Sequence, residues 1–285
     1  MSEVDARGPV TGRSSALRTV WSRDVGNRRI AVWREQSSHE RIALGLLGVV
    51  IVLGGWQLLA NLGVLNPIIY SSPAEIASTG WTLTETGILW PAIVSSAQLF
   101  AVGFAIALVS GVALGLILGW YQRISALLEP WVSIFYATPS LAFIPIIVLL
   151  AGVSMQGRLL VVWLIAVFPI IINTASGVRA MDRQHFNVAR SFMATNRFVL
   201  LRVAVPGASP SIIAGIHNGM MLSLVGVVVS EFLIGGTGVG GMIYFAGQEL
   251  KTADAFVGSL IFAGAALILS AGIRALERRL CPWRF

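Results

Sequence analysis

Few residues in this 285-residue sequence have the type and spacing that a reactive protein site requires. The three histidines, His39, His185 and His217, do not recur at the spacing of a metal-binding motif, and Cys281 is the only cysteine. No serine–histidine–aspartate set and no carboxylate pair can be assembled from the polar positions of the apolar regions. The sequence therefore predicts no catalytic residue, no metal site and no cofactor bound by this chain.

Of two common nucleotide-binding patterns, the sequence contains one out of its structural context and lacks the other. The segment Gly236–Gly241 satisfies GxGxxG, but that fingerprint has meaning only between a strand and a helix of a βαβ unit. Here it follows a long apolar stretch, which favours a flexible turn or a gate element. A P-loop needs a lysine in GxxxxGK[ST], and the only lysine, Lys251, follows Leu250. The chain is therefore not predicted to hydrolyse ATP itself.

Four polar residues in apolar stretches are candidates for a pathway or a gate. Glu231 is the most informative, because an acid at the membrane boundary is costly and usually faces an interior or an aqueous cavity. Exposure at the interface and a gate or structural hydrogen bond remain equal alternatives for it. For His217, beside Asn218, a hydrogen bond between helices is favoured over a pathway contact. A solute contact at Asn173, beside Thr174, is a hypothesis.

The composition places the chain in a membrane. It is 56% hydrophobic and 12% charged, with a mean hydropathy of +0.80, whereas soluble domains contain roughly 25% charged residues. The net charge of +7 would suggest nucleic acid only if the basic residues formed one patch. They are distributed among the segments that flank the apolar stretches, so no nucleic-acid partner is predicted.

An all-α integral membrane fold must position the polar candidates. Six apolar stretches are long enough to cross about 30 Å of hydrocarbon. We place the spans near 42–61, 92–119, 127–151, 159–178, 208–234 and 255–276. Together they form a predicted transmembrane domain over 42–277.

Glycine and proline spacing predicts how these spans pack. Gly111, Gly115 and Gly119 recur on one face of the second span, and Gly215 and Gly219 repeat the pattern in the fifth. Close helix packing is their predicted role, with a hinge or pathway role as the alternative.

Two prolines, Pro139 and Pro145, are expected to break the third span. Such a break is tolerated where neighbouring helices cover the freed backbone groups. A compact six-span bundle is therefore expected.

The distribution of basic residues predicts the orientation. If residues 1–41 are cytoplasmic, eighteen of the twenty basic residues lie inside and only Arg158 and Lys251 lie outside. Both termini are then cytoplasmic, with 1–41 a mostly disordered arginine-rich tail and 278–285 a short second tail. Attachment of 17–34 to the membrane surface is an alternative to disorder.

The basic segment 181–206 separates the fourth and fifth spans. Its pattern predicts two short amphipathic helices joined near Ala194–Asn196, with Pro206 marking the start of the next span. The first helix has an apolar face opposite a polar one, formed by Phe186, Ala189, Phe192 and Met193 against Arg183, Gln184, Asn187 and Arg190. Such helices either float at the interface or dock a soluble partner.

This segment resembles the EAA loop of ABC-importer permeases, whose pattern is Glu-Ala-Ala, three residues, Gly, nine residues and Ile-x-Leu-Pro. The spacing matches without a gap. Asn187-Val188-Ala189 occupies the Glu-Ala-Ala place, Met193 the Gly place, and Val203–Pro206 the Ile-x-Leu-Pro place. The match continues into Pro206–Pro210, which is similar to the family's Pro-Ala-Ala-Leu-Pro.

Further motifs resemble the sulfonate, taurine and nitrate branch of these permeases over most of 66–277. They are Ser72–Ile76, Gly103-Phe104, Gly111–Gly115, Thr138–Ala142, and Ser230–Phe232 followed by Gly238–Gly240. Their order and spacing together are more specific than any one of them.

The resemblance implies a type I permease with six transmembrane helices and a cytoplasmic coupling-helix loop, in a prokaryotic inner membrane. It implies as partners a cytoplasmic ABC ATPase dimer that binds ATP and Mg, an extracytoplasmic solute-binding protein, a second copy of the chain and membrane lipid. The solute would be small and anionic, similar to a sulfonate, taurine or nitrate. The residues that would couple to the ATPase are Asn187, Val188, Ala189, Arg190, Ser191, Met193, Ala194, Arg197 and Pro206.

Two residues depart from the family pattern. Asn187 replaces an acid, so it offers a neutral hydrogen bond about half as strong as a charge-assisted one. Met193 replaces a glycine and is expected to continue the α-helix instead of forming a tight turn.

Two other classes of function compete with the importer. An ion-coupled secondary transporter or channel predicts charges within the spans, and only Glu231, near a span end, is a candidate. A membrane-embedded enzyme predicts a catalytic constellation, which the sequence does not provide.

Overall fold

The computed structural model describes residues 38–64, 66 and 70–280, and within these every regular element is helical. Most of the predicted tails 1–41 and 278–285 lies outside the described residues. The helices are α1 Ser38–Asn61, α2 Pro73–Glu85, α3 Leu89–Trp120, α4 Gln122–Ala137, α5 Ile144–Ala151, α6 Met155–Arg179, α7 Arg183–Ser191, α8 Asn196–Ile234, α9 Val239–Gln248 and α10 Thr252–Leu280.

The chain divides into two units, Met1–Gly55 and Trp56–Phe285. In the first, the described residues are the leading part of α1, whose apolar side chains are exposed, for example Ile42 at 61% and Val52 at 68%. The second unit contains all the remaining helices, and the description below concerns it.

The predicted all-α membrane fold is confirmed. Within the described part of the chain, five helices are long and apolar enough to cross a membrane, namely Ile42–Asn61, Leu89–Trp120, Met155–Arg179, Asn196–Ile234 and Thr252–Arg279. They correspond to the first, second, fourth, fifth and sixth predicted spans. The third predicted span is a bent pair, Gln122–Ala137 and Ser140–Ala151, with 96° between its two parts.

Helices α3 and α6 pack side by side because small residues on α3 let the two backbones approach closely. A methyl group added to any of four glycines of α3 would contact a β-branched residue of α6. The pairs are Gly103 with Val162, Gly111 with Ile170, Gly115 with Thr174, and Gly119 with Val178. The residue numbers rise together, so the helices are parallel, and the predicted packing role of the α3 glycines is confirmed.

Helix α8 packs against the same helix from another side, in the opposite direction. Gly215 meets Asn173, and Gly219 meets Ile170. Ile170 is fully buried, because it lies between Gly219 of α8 and Gly111 of α3. Helix α6 is therefore the centre of a three-helix core.

The bundle has two ends, which are named here by the short helices beside them. Helix α7 precedes the first residue of α8, and α9 follows its last residue. The ends are called the α7 end and the α9 end below.

The third predicted span has one break where two were expected. Pro139 lies at the break, but Pro145 is in the first turn of α5, where a proline is well tolerated. The break is also not covered by this chain, because Pro139, Leu141 and Ala142 are exposed. The expectation that neighbouring helices cover the freed backbone groups is therefore wrong for the single chain.

The prediction of a second short amphipathic helix in 181–206 is also wrong. Helix α8 starts at Asn196, where the Thr195 hydroxyl caps it, and continues into the fifth span as one helix of 39 residues. A π-turn at Leu200–Ala204 directly precedes the region of Pro206. The wider turn relieves the clash that a proline ring makes with the carbonyl four residues earlier, so the helix passes Pro206 without ending.

Helices α2 and α9 were not predicted. Helix α2 begins with a capping box in which the Ser72 hydroxyl accepts from the Glu75 backbone N–H while the Glu75 carboxylate accepts from the Ser72 N–H. The Ser-x-x-Glu spacing is a signal that could have revealed α2. Helix α9 begins at Val239 inside the glycine-rich segment, which was expected to be a flexible turn or a gate element.

The α3–α6 contact predicts different outcomes for the same substitution at two helical glycines. A methyl group at Gly115 would lie 2.8 Å from the Ile171 carbonyl oxygen, whereas nothing lies within 4 Å of one at Gly264. We expect Gly115→Ala to lower the free energy of unfolding by about 1–3 kcal/mol through overpacking. Gly264→Ala should be neutral or stabilising by up to about 1 kcal/mol, because alanine favours helices.

Thermal unfolding of both variants in the same detergent measures the difference. Equal midpoints for Gly115→Ala and Gly264→Ala would contradict the contact described for Gly115.

Candidate functional site

At the α7 end, the segment between α6 and α8 forms a mostly exposed surface. Asp182 precedes α7, and its carboxylate accepts from the Gln184 backbone N–H at 2.9 Å. The Phe186 ring meets the Trp120 ring edge-on, with centroids 5.8 Å apart, and so ties α7 to α3.

The structure exposes most of the predicted coupling residues. Asn187, Val188, Ser191, Met193, Arg197 and Pro206 are exposed, Ala189 and Ala194 are half-buried, and the Arg190 side chain lies outside the description. The predicted apolar face is only partly formed, since Phe186 and Ala189 are half-buried but Phe192 and Met193 are 82% and 93% exposed. Because α7 ends at Ser191, these last two residues do not continue its face. The exposed residues Asn187, Val188, Ser191, Phe192, Met193 and Arg197 are called the coupling surface below.

Met193 adopts a backbone conformation that contradicts the sequence-based expectation. Its φ is +53°, so it does not continue the helix. The Ala194 N–H donates to the Ala189 carbonyl at 3.2 Å, which is the six-to-one bond of a Schellman motif with Met193 at the left-handed position. Glycine is favoured at such a position because it adopts a positive φ without a steric penalty. The family's glycine therefore has a physical role here, and Met193 adopts the same backbone conformation under strain.

The same end contains a cavity of about 440 Å³ between the end of α6, α7 and the start of α8. Met181, Asp182, His185 and Arg202 are among its lining residues. The cavity thus contains both an acid and basic groups.

A second polar cluster joins α3, α4 and α6 at the α7 end. The Arg179 guanidinium donates to both Glu129 carboxylate oxygens at 2.9 Å. It also donates to the Ser125 hydroxyl at 2.7 Å and to the Leu118 carbonyl at 3.3 Å. Paired bonds of this kind fix orientation as well as distance. From the sequence, Arg179 was expected only to contribute to the positive charge of the cytoplasmic side, although the Ser125–Glu129 spacing of one helical turn was a signal for this cluster.

At the α9 end, Glu231 is fully buried, which excludes exposure at the interface. Its carboxyl group accepts from the Ser96 hydroxyl at 2.8 Å and from the Gly240 backbone N–H at 2.8 Å. The Ser96 hydroxyl in turn accepts from the Val239 N–H at 2.9 Å. The Ser96 hydroxyl and the Glu231 carboxyl group therefore accept from the first two backbone N–H groups of α9. A carboxyl group in this position stabilises the N-terminus of a helix.

This cluster explains the glycine-rich segment. A side chain at Gly238 would clash with Glu231, and one at Gly240 would lie 2.7 Å from a Glu231 carboxyl oxygen. Glycine lets the backbone approach the carboxyl group, and no strand is present in the described residues on either side of the segment. The GxGxxG match therefore reflects packing around Glu231.

Two ion contacts flank this cluster. Arg158 donates to the Thr237 hydroxyl at 2.6 Å, beside the loop that leads into α9. After α9, the hydrogen bond to the exposed Glu249 carboxylate raises the pKa of Lys251, whose Nζ lies 2.7 Å away.

The remaining pathway candidates do not converge on Glu231. The Asn173 amide donates to the Pro169 carbonyl of its own helix at 2.8 Å, and Asn218 is exposed. His217 Nε2 is buried with no hydrogen-bond partner among the described residues, so the expected bond between helices is absent at that atom. His217 and Glu231 are fourteen residues apart on α8, or about 21 Å along its axis. No three metal-ligating side chains cluster within the described part of the chain.

The Glu231 cluster predicts a large effect for one truncation. In Glu231→Ala, the Ser96 hydroxyl loses its acceptor and the Gly240 N–H is left buried and unpaired. We expect a loss of about 2–4 kcal/mol in the free energy of unfolding. The matched control is Glu249→Ala at the same end, where the carboxylate is 57% exposed and the change should stay within about 0.5 kcal/mol.

Thermal and denaturant unfolding in detergent compare the two variants. If Glu231→Ala unfolds together with Glu249→Ala, the buried cluster does not hold α9 as described.

The strain at Met193 predicts a stabilising substitution. Met193→Gly should stabilise α7 by about 1 kcal/mol, because glycine adopts a positive φ without a steric penalty. Hydrogen exchange of the α7 amides should then slow about fivefold. In the adjacent control, Ala194→Gly, no positive φ is relieved and exchange should not slow; faster exchange in Met193→Gly would refute the assignment of strain.

Comparison with known proteins agrees with this architecture. The model of the family described as "binding-protein-dependent transport system inner membrane component" matches residues 111–282. That range begins in α3 and contains all of α4 to α10.

Related proteins extend the similarity over most of the chain. A putative aliphatic sulfonates transport permease protein of Bacillus subtilis is 32% identical over 240 residues, covering 84% of this chain and 87% of the relative. The taurine transport system permease protein of Escherichia coli is 26% identical over 257 residues, with 88% and 93% covered. A nitrate import permease protein of Leptolyngbya laminosa is 28% identical over 242 residues, with 81% and 85% covered.

Solved structures support the fold. A chain from inward-facing conformations of the MetNI methionine ABC transporter superposes with a TM-score of 0.58 at 14% identity. The superposition covers 65% of this chain and 92% of that one. The family match and the related permeases show that this chain belongs to the inner-membrane permeases of ABC importers, in the branch that contains the sulfonate, taurine and nitrate permeases.

Proposed function

We propose that this chain forms the translocation pathway of an ATP-driven importer and is moved by a separate ATPase that docks on the coupling surface. The observation that supports this most strongly is the exposure of two large apolar side chains, Phe192 and Met193, at 82% and 93%, in the segment between α6 and α8. A helix that only floats at the interface would turn such side chains toward lipid. A soluble partner with an apolar groove buries them instead.

The orientation follows from the same end of the molecule. Five arginines lie in or beside the segment between α6 and α8, namely Arg179, Arg183, Arg190, Arg197 and Arg202. At the α9 end the basic residues are Arg158 and Lys251. By the positive-inside rule the α7 end is cytoplasmic, where ATP and an ATPase are available.

The packing supports a way for ATPase motion to reach the membrane. Helix α7 is tied to α3 by Phe186 and Trp120, and the chain continues from α7 into α8. Both α3 and α8 are locked to α6 through glycine contacts. Displacement of the coupling surface therefore moves the three-helix core as one body and switches the pathway between its two openings.

The partners follow from what one chain lacks. A second copy completes the pathway, since one chain supplies half of a symmetric two-fold transporter. ATP and Mg are bound by the ATPase dimer, because this chain has no P-loop lysine. A soluble binding protein delivers the solute at the α9 end.

The names of the relatives support a small anion as the solute. Sulfonates, taurine and nitrate, which those names specify, all contain an anionic group. Selection among such anions is assigned to the binding protein. An ion-coupled transporter is favoured less, because the carboxyl group of the buried acid Glu231 is hydrogen-bonded to Ser96 and to the start of α9.

A charge on the coupling surface tests the docking. In Phe192→Asp, a carboxylate would have to enter an apolar groove without a partner, which costs several kcal/mol. We expect retention of the ATPase during purification to fall at least tenfold. The matched control is Leu250→Asp, a residue 65% exposed at the opposite end, which should retain the ATPase at the level of the natural chain.

Size-exclusion chromatography of both variants verifies that the permease itself is folded. Full retention by Phe192→Asp, or equal loss in Leu250→Asp, would show that the ATPase does not bind this surface.

A further inference from the structure

Helix α4 has two exposed sides of opposite character. Leu127, Trp131 and Ile134 are 68%, 59% and 57% exposed. They are spaced four and three residues apart along the helix, so they lie on one apolar side. Glu129, Ser133 and Tyr136 are also exposed, and they lie on the opposite side of the helix. Polar side chains exposed to lipid are unfavourable, so this second side of α4 is not expected to face lipid.

The polar side leads to the break in the third span, which lies near the middle of the bilayer. The Phe135 ring stacks on Phe168 with centroids 6.1 Å apart. Phe168 is near the midpoint of the 25-residue helix α6, so the end of α4 lies near the same depth. The irregular backbone that follows therefore lies well inside the hydrocarbon region.

Lipid cannot cover this break. Pro139, Leu141 and Ala142 are exposed, and the N–H of Ser140, at the start of a short helical turn, has no partner within that turn. Irregular backbone at membrane depth occurs only where it is buried in protein or faces a water-filled cavity. The exposed polar side of α4 leads directly to it.

Toward the α7 end, the polar side of α4 faces α6 across a small cavity. The cavity measures about 110 Å³, and Glu129, Ser133 and Ser176 are among its lining residues. The Arg179–Glu129 pair lies at the same cavity and holds α4 to α6 there. From this cavity, the exposed side of α4 that carries Glu129 and Ser133 continues toward the break.

We propose that Glu129, Ser133, Tyr136 and Ser140 line a water-filled solute route, which reaches mid-membrane at the break and contacts the solute there. The assignment rests on the proposed transport function and specifies its pathway. No residue between Glu129 and Arg158 is charged, so the contacts at the break are a hydroxyl and free backbone groups. They suit a small hydrophilic solute with hydrogen-bond acceptors, held weakly enough to be released.

Thiol labelling of the full chain, assembled with its ATPase in lipid vesicles, tests the route. In a Cys281→Ser background, single cysteines replace Ser133, Ser140 or Ile134, and the probe is a methanethiosulfonate that carries a sulfonate group. A thiol reacts with it as the hydrated thiolate, which does not form in hydrocarbon. We expect Ser133→Cys and Ser140→Cys to react at least tenfold faster than Ile134→Cys, the adjacent position on the apolar side.

Two outcomes overturn the proposal. Equal, slow labelling at all three positions shows that the polar side is closed to water. Rapid disulfide formation between two copies through Ser133→Cys or Ser140→Cys, together with slow labelling of the reduced thiols, assigns that side to a dry contact between permeases. Where Ser140→Cys does not yield monodisperse protein, the exposed Ala142→Cys takes its place.

The labelling result and the transport function fail separately. Uptake of radiolabelled taurine and of nitrate by vesicles with ATPase and binding protein is measured on the natural chain. Fast labelling at Ser133 and Ser140 without any ATP-dependent uptake would refute the proposed function and leave a water-filled route. ATP-dependent uptake with slow labelling would refute the route alone.

Discussion

The close approach of α6 to both α3 and α8 holds the rest of the molecule in place. Ile170 is buried between Gly111 and Gly219, and Val162 is placed in the same way between Gly103 and Gly226. In a bilayer, helices gain no hydrophobic driving force from associating, so contact area between close backbones must provide the stability. These contacts make the three helices one body, to which the polar features at both ends are attached.

The two ends use polar contacts for different purposes. At the α9 end, Glu231 and Ser96 satisfy the first donors of α9 inside the protein, where an unpaired group is costly. At the α7 end, Arg179 joins three helices with a pair that is 39% and 49% exposed, so that pair is weaker and more easily exchanged. The fixed end and the exchangeable end are thus distinguished by burial.

The sequence predicted the fold well and the site less well, for physical reasons. Hydropathy located the six spans because a bilayer imposes both length and apolarity. It did not predict that Met193 would have a positive φ, since that depends on where α7 ends, nor that α8 would pass Pro206, since a π-turn forms only in the folded helix. The partners of Glu231 come from α3 and α9, at separations of 135 and nine residues, which no local pattern encodes.

The continuity of α8 has a mechanical consequence. Its 39 residues extend for about 58 Å, from the capped start at Asn196 beside the coupling surface to the residues just beyond Glu231. One continuous helix therefore connects the two faces of the membrane, and in the proposed mechanism it transmits a displacement of the coupling surface from one face to the other. The π-turn at Leu200–Ala204 lies near one end of α8. A change there between π-helical and α-helical hydrogen bonding alters the length of the helix, and in the proposed mechanism this adjusts the displacement that α8 transmits.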